Sequence, residues 1–172
     1  MYKRQHLHVH TQYSLLDGQA SVARLVDKAM KNGMKGIAVT DHGNMFGIKE
    51  FTNYVNKKNS GPKGEIKDLK KRIAGIEAGT VECEDKEAEI AACKAKIVEA
   101  ENKLFKPIIG CEMYVARRTM DLKEGKPDQS GYHLIVLAKN EKGYHNLIKL
   151  VSHAWTRGYY MRPRTDRSEL EK

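Results

Sequence analysis

Apolar and polar residues in the first third of the chain follow the periods of strands and helices in turn. The run 6–10 alternates, which predicts a short strand. Apolar residues at helical spacing predict a helix over 22–31, with Ser21 as its N-cap. The apolar run 36–40 predicts a buried strand, and a second helix is expected from about 45 to 57. This order of elements is typical of an α/β fold.

A long charged stretch then interrupts this order. Between 63 and 106, apolar residues recur every three or four positions in two runs, which places each run on one face of a helix. We therefore expect an antiparallel helical hairpin inserted at about 61–106. It fits a solvated insertion with a narrow apolar seam, and it also fits an arm that docks a partner. The seam residues are Ile66, Leu69, Ile73 and Ile76, then Ile90, Cys93, Ile97, Ala100 and Leu104.

The α/β pattern resumes after the hairpin. The run 106–115 predicts a strand with Glu112 in its middle, and the run 133–138 predicts another. Apolar spacing over 141–153 predicts a helix. The tail from Arg157 onward has no periodicity and ends without helix-stop residues, so we expect a chain that is truncated at its C-terminus.

Composition and charge exclude several classes of protein. The mean hydropathy is −0.63, and no apolar run approaches the roughly 18 residues that cross a bilayer. Cys83, Cys93 and Cys111 are odd in number and form no CxxC pair, so a reduced, cytoplasmic protein is expected. The net charge of +9 lies in the flanks of the hairpin. Such a surplus suits contact with nucleic acid phosphates, and it is also common on ordinary soluble proteins.

Residue types that bind metals accompany three of the apolar runs. His8 and His10 lie two apart, so a strand places both imidazoles on one side. Asp41 and His42 directly follow a buried strand, and Glu112 lies inside another. Because the carboxyl ends of parallel strands form one rim, these groups can converge on one pocket. Mixed imidazole and carboxylate ligands suit Zn, Mn or Fe.

Each of these features has a simpler explanation. The pair of histidines is a common chance pattern, and Asp41 can accept backbone hydrogen bonds in a polar turn. Glu112 is harder to explain in this way, because an unpaired buried carboxylate costs several kcal/mol or takes up a proton. It needs a cation or a proton.

Several motifs together resemble the PHP (polymerase and histidinol phosphatase) domain family. Three of them are His8-Val9-His10-Thr11 with Asp17-Gly18, then Ala38-Val39-Thr40-Asp41-His42-Gly43-Asn44, then Ile109-Gly110-Cys111-Glu112. Asp17, Gly143-Tyr144-His145-Asn146-Leu147 and Arg162-Pro163-Arg164 favour the branch that begins bacterial DNA polymerase III alpha subunits. This resemblance covers nearly the whole chain apart from the hairpin.

The resemblance implies a fold and a set of ligands. The fold class is α/β, a partial distorted (β/α)7 PHP barrel with the helical hairpin inserted, so that 1–172 is a C-terminally truncated PHP domain. Up to three divalent ions, Zn or Mn, are expected in a complete domain. Asp41 is expected to orient His42. The implied metal ligands are His8, His10, Asp17, His42, Glu112 and His133.

The resemblance also distributes the ligands among the metals. It places His8 and His10 on one metal, with Glu112 bridging to a second metal. It places Asp17 and His42 on a third. The remaining ligand, His133, is expected at the second metal.

The implied function is that of a replicative polymerase. The parent protein would synthesise DNA on a template, and this domain would act as a metal-dependent phosphoesterase or 3′–5′ exonuclease, or would have a structural role. Expected partners are DNA, the remaining polymerase domains and replisome subunits, with no membrane. The family's later motifs and the polymerase's catalytic carboxylates have no counterpart in this sequence, so the isolated fragment is expected to be inactive.

Two other functions are compatible with the same residues. The first is a stand-alone phosphatase, such as a relative of histidinol phosphatase. The second is a scaffold with a vestigial metal site, although the first five ligands, from His8 to Glu112, are intact.

Overall fold

Seven helices and four strands make up the described part of the chain. The computed structural model describes residues 5–15, 17–129 and 131–172. In that part of the chain no helix is long and apolar enough to cross a lipid bilayer. The elements are α1 (Val22–Lys31), β1 (Gly36–Val39), α2 (Ile48–Lys58), α3 (Ser60–Glu77), α4 (Lys86–Lys103), β2 (Lys106–Ala116), α5 (Lys126–Gln129), β3 (Gly131–Leu137), α6 (Glu141–Thr156), β4 (Arg164–Thr165) and α7 (Arg167–Leu170).

One open sheet contains all four strands. β2 lies between β1 and β3, and β4 also pairs with β2. His42, just beyond β1, forms a parallel bridge with Glu112 of β2, and β4 runs parallel to β2. β3 is antiparallel to β2, with Ile135 opposite Glu112. The α/β class is confirmed. The predicted metal-binding residues were expected at the carboxyl ends of parallel strands. This holds only in part, because β3, which carries His133, runs antiparallel to β2.

The predicted strand at 6–10 is wrong as a regular strand. The segment lies beside β1, where Ala38 donates its N–H to His6 and Thr40 donates to Val9, both at 2.9 Å. Between these two hydrogen bonds the chain advances two residues on the β1 side, from Ala38 to Thr40. It advances three residues in the N-terminal segment, from His6 to Val9. This extra residue has the effect of a bulge, which interrupts the regular ladder.

Alternation along β2 separates the core from the opposite face of the sheet. Cys111 and Met113 are buried and pack with Leu147 and Ala154 of α6. Because successive strand residues point to opposite faces, Glu112 lies on the other side. The predicted helix over 141–153 is confirmed as α6, which continues to Thr156.

Helix α1 follows the sequence pattern closely. Val22, Val26 and Ala29 form its buried face. Ser21 occupies the N-cap position in an extended conformation, but its side chain makes no capping hydrogen bond. The helix ends as predicted, with Gly33 at φ +71°.

The chain forms two compact units. One consists of the described residues up to Thr52 and of Pro107–Lys172, and the other is Asn53–Lys106. In the second unit α3 and α4 pack against each other. The Arg72 Nε–Glu89 Oε1 distance is 2.9 Å, and Lys103 Nζ lies 3.9 Å from Glu65 Oε2. The buried residues of these two helices are Ile76, Cys93, Ile97 and Ala100.

A double hydrogen bond closes the base of the second unit. The Asn59 amide donates to the Phe105 carbonyl at 2.8 Å, and the Phe105 N–H donates to Asn59 Oδ1 at 2.9 Å. These bonds hold Asn59 and Phe105 together, so a short loop between positions close to them has little distance to span.

Replacing residues 64–104 with a short Gly/Ser loop should therefore leave the other unit folded. Trp155 is the single tryptophan and lies in that other unit, which we call the α/β unit. The tryptophan band of the near-UV circular dichroism therefore reports on the α/β unit alone. We expect this signal to match that of the complete chain. Loss of the signal together with rapid proteolysis would contradict the prediction.

Candidate metal centre

All six predicted ligands lie in three overlapping groups. Within each group the possible ligand atoms lie within 4.8 Å of one another. The shared members link the groups into one centre, since His10, His42 and Glu112 each belong to two of them. Among the described residues, the groups are His8–His10–Glu112, His10–Asp17–His42 and His42–Glu112–His133.

The first group contains contacts that protons alone do not satisfy. His8 Nε2 and His10 Nε2 each lie 2.6 Å from Glu112 Oε2, and the two nitrogens are 3.0 Å apart. Each Nε2 carries at most one proton, which points in one direction. If both protons point at Glu112, no proton lies between the two nitrogens, which then touch without a hydrogen bond. A cation bound by all three atoms removes this conflict.

His42 supplies a second sign of a cation site. Its Nε2 lies 2.6 Å from Asp17 Oδ2. Its buried Nδ1 has no hydrogen-bond partner among the described residues and lies 3.6 Å from Glu112 Oε2. A buried, unpaired imidazole nitrogen is costly unless it binds something, and neutral imidazole is a common metal ligand.

The carboxylate of Glu112 is the hub of the centre. Its side chain is 4% exposed, its Oε2 contacts two histidines, and its Oε1 contacts His133 Nδ1. Burial raises the pKa of Glu112, but hydrogen bonds from three histidines, foremost His133, outweigh this effect and lower it to about 2. The carboxylate is therefore ionised at neutral pH and available to a cation.

Strand pairing brings His133 to this carboxylate. His133 is directly opposite Tyr114, so Glu112 is its diagonal neighbour on the same face of the sheet. Diagonal pairs in antiparallel strands are within reach of long side chains. The register of β2 and β3 thus explains a contact that sequence spacing alone does not predict.

Asp41 organises the loop that carries the histidines. It is buried, and its carboxylate accepts hydrogen bonds from Thr11 N at 2.6 Å, Thr11 Oγ1 at 2.8 Å and Ser14 Oγ at 2.8 Å. Ser14 Oγ in turn accepts the backbone N–H of His42 at 3.1 Å. Asp41 was expected to orient His42. The hydrogen bonds connect it to the His42 backbone through Ser14, and it also accepts a backbone N–H, as a polar-turn residue would.

Tyr114 was not among the predicted site residues. It lies two residues after Glu112 in β2, so strand alternation places both on one face. Its ring stacks on His42 with centroids 5.8 Å apart, and it meets the edge of the His133 ring at 4.9 Å. The two-residue spacing from Glu112 was the signal that could have identified it.

Cys111 lies next to Glu112 but points away from the centre. Its Sγ donates to the Asp41 carbonyl at 3.4 Å. Burial, together with the nearby Asp41 carboxylate, raises the pKa of this thiol to about 12. The thiol stays protonated at neutral pH, whereas metal ligation requires a thiolate.

The residues present fit divalent metal ions. Four imidazoles and two carboxylates converge, with a buried unpaired nitrogen and a triangle of mutually close ligand atoms. Nitrogen and carboxylate ligands of this kind suit Zn or Mn.

The chain belongs to the PHP domain family. Its sequence matches the family model of the PHP domain over residues 6–97 and 87–172. The resemblance on which we based the fold and the site is therefore confirmed at the level of the family.

Several similar proteins are alpha subunits of DNA polymerase III. The chain is 41% identical over 170 residues to the DNA polymerase III subunit alpha of Borreliella burgdorferi, which covers 97% of the chain and 11% of that protein. It is 39% identical over 162 residues to the protein of the same name from Treponema pallidum, with 94% and 10% covered. For Aquifex aeolicus the identity is 33% over 173 residues, with 97% and 11% covered. The chain spans about a tenth of the length of these curated relatives.

Proposed function

We propose that this chain is the PHP domain of a bacterial DNA polymerase III alpha subunit and that its centre serves metal-dependent hydrolysis of phosphodiesters at DNA 3′ ends. The similarity to polymerase alpha subunits from several bacteria supports the first part. The linked groups of ligands around Glu112 support the second.

The single observation that carries the proposed chemistry is the sharing of ligands. A cluster with shared carboxylate and imidazole ligands suits more than one ion. Bound divalent ions would activate a water molecule and stabilise charge on phosphate oxygens. The buried carboxylate of Glu112 supplies fixed negative charge, and Asp17 supplies a second, half-exposed carboxylate.

The polymerase assignment is preferred over a stand-alone phosphatase. The curated relatives that we compare are polymerase subunits. The Arg162-Pro163-Arg164 motif, on which we based the polymerase branch, lies in the same unit as the centre. Arg162 donates to the Tyr114 hydroxyl at 2.8 Å, and Tyr114 stacks on His42.

Several further features belong to this proposal. The fold is part of a distorted (β/α)7 barrel within residues 1–172, and the helices of the second unit are a hairpin inserted at about 61–106. The parent protein works in the cytoplasm with DNA, the remaining polymerase domains and replisome subunits. Zn or Mn occupies the centre. The contact of α3 with α4 and the division into two units support the inserted hairpin.

The proposal is tested on the polypeptide that carries this chain. That polypeptide should extend a primed template. With Mn or Zn added, it should also remove nucleotides from the labelled 3′ end of single-stranded DNA. His8→Ala should lower 3′ cleavage by at least about 10-fold and leave primer extension unchanged, because it removes one ligand. His145→Ala is the matched control, since His145 is exposed and lies outside the three groups.

Residues 1–172 alone should bind metal and extend no primer. Polymerisation needs separate carboxylates whose metal ions bridge the primer hydroxyl and the incoming triphosphate, and the ligand groups among the described residues are those of this one centre. If His8→Ala leaves cleavage intact, or if cleavage needs no metal, the hydrolytic function is wrong.

A further inference from the structure

Three exposed aromatic side chains form a continuous row in the α/β unit. Phe46, Trp155 and Tyr159 are 67%, 43% and 48% exposed. Trp155 stacks on Tyr159 with ring centroids 5.6 Å apart, and Phe46 lies 6.5 Å from Trp155. We call these three residues the aromatic row. Single exposed apolar residues are common, whereas a contiguous group marks a binding surface.

The aromatic row leads to the metal centre. It lines a cleft of about 220 Å³ that is also lined by His42, Tyr114 and Arg162. His42 belongs to two of the three ligand groups. A molecule that lies on the row therefore has a ligand of the metal centre in the same cleft.

The indole of Trp155 is held in place by the loop that carries His42. Trp155 Nε1 donates to the Gly43 carbonyl at 2.8 Å. Gly43 has φ +60°, and a Cβ at this position would lie 2.7 Å from Pro163 Cγ, so only glycine fits here. Trp155, the middle residue of the aromatic row, is thus held in a fixed position relative to His42 before any molecule binds.

Arg162 adds a positive charge to the same cleft. Its guanidinium lies over the Tyr114 ring at 4.9 Å, and Nη1 donates to the Tyr114 hydroxyl at 2.8 Å. That bond uses one of five N–H donors in a fork that matches the geometry of phosphate. Arg162 is exposed, so a phosphate can approach it from solvent.

We propose that the aromatic row and Arg162 form a subsite for single-stranded DNA, in which a base near the 3′ end stacks on the row and its phosphate contacts Arg162. This inference rests on the proposed function, because it places the adjacent phosphodiester at the metal centre. Flat aromatic faces bind any base through stacking, and nearby cations bind the backbone. The combination of stacked rings, a guanidinium and metal ligands in one cleft fits a nucleotide, which has both a flat base and a charged phosphate.

The single tryptophan makes the inference directly measurable. Residues 1–172 are titrated with a short single-stranded oligonucleotide in the presence of a chelator, so that binding is observed without cleavage. Stacking on the row should quench the fluorescence of Trp155. An abasic oligonucleotide of the same length carries the same phosphates without bases, and it should bind more weakly and leave the fluorescence nearly unchanged.

Variants then identify the residues. Tyr159→Ala and Phe46→Ala should weaken binding of the oligonucleotide by about 5- to 100-fold, measured by anisotropy of a labelled strand. Tyr132→Ala is the matched control, because Tyr132 is 60% exposed and neighbours His133 on the opposite face of β3. Its affinity should equal that of the unchanged chain. Thermal unfolding of each variant shows whether it is folded.

The outcomes separate this inference from the proposed function. Equal quenching by the abasic strand, or unchanged affinity in folded Tyr159→Ala and Phe46→Ala, overturns the subsite. If the row is instead an interface with another protein segment, oligonucleotides leave Trp155 unaffected, which also overturns it. Base-dependent quenching of Trp155 fluorescence supports the subsite. If the same polypeptide shows no metal-dependent cleavage, the subsite stands and the hydrolytic function is contradicted.

Discussion

Glu112→Gln should abolish stoichiometric metal binding by this chain while leaving it folded. The change keeps the size of the side chain. Among the described residues, it removes the one charged ligand that belongs to two of the three groups. Loss of a residue that only supports a ligand lowers metal affinity roughly 10–100-fold, and loss of a shared ligand should exceed this range. The measurement is calorimetric titration with Zn or Mn, together with elemental analysis after dialysis.

A second buried glutamate provides the control for this result. Glu169 is also buried, and its Oε2 lies 3.1 Å from His153 Nδ1, but it belongs to none of the ligand groups found among the described residues. Glu169→Gln should retain the metal content of the unchanged chain. If Glu112→Gln retains it as well, the centre does not bind metal through this carboxylate.

Arg164→Ala should cause the largest loss of stability of any single substitution that we propose. The Arg164 side chain is 1% exposed, and its guanidinium donates to four backbone carbonyls at 2.8–3.1 Å. Truncation leaves these buried acceptors without a donor and opens a cavity, at a cost of about 3–5 kcal/mol. The acceptors are the carbonyls of Gly158, Asp128, Met120 and Leu122.

Thermal unfolding followed by circular dichroism measures this effect. For a chain of this size the loss corresponds to a fall in Tm on the order of 10 °C. Arg167→Ala is the control, because the Arg167 side chain is 90% exposed and its pair with Glu171 contributes little. Arg164→Lys should lie between the two, since lysine cannot reproduce the planar fork. Equal unfolding temperatures for Arg164→Lys and the unchanged chain would contradict this role.

Local periodicity was sufficient for most of the individual elements. The helix at α1, the buried strand at β1 and the helix at α6 are set by the spacing of apolar residues within one segment. Such spacing requires no knowledge of the rest of the chain. The segment 6–10 alternates in sequence but forms no regular strand, because an extra residue interrupts its pairing with β1. This irregularity depends on how the segment meets β1.

The residue types of the candidate centre were also readable from the sequence. His8, His10 and Glu112 are informative because imidazoles with the same orientation and a carboxylate within an apolar strand need a cation or a proton. Their actual contacts depend on pairing between distant segments. Asp41 shows the difference, since its bonds to Thr11 and Ser14 form only when the N-terminal loop folds over the end of β1.

The amino-acid sequence by itself therefore determined the order of the principal helices and strands, the α/β class, the family and the set of metal-binding residue types. Only the tertiary structure decided that β3 runs antiparallel to β2, that Arg164 is buried among four carbonyls, and that Phe46 meets Trp155 beside His42. The physical reason is one of range. Periodicity and residue type are properties of neighbouring positions, whereas register, burial of a charge and the meeting of aromatic rings arise when segments far apart in the chain pack together.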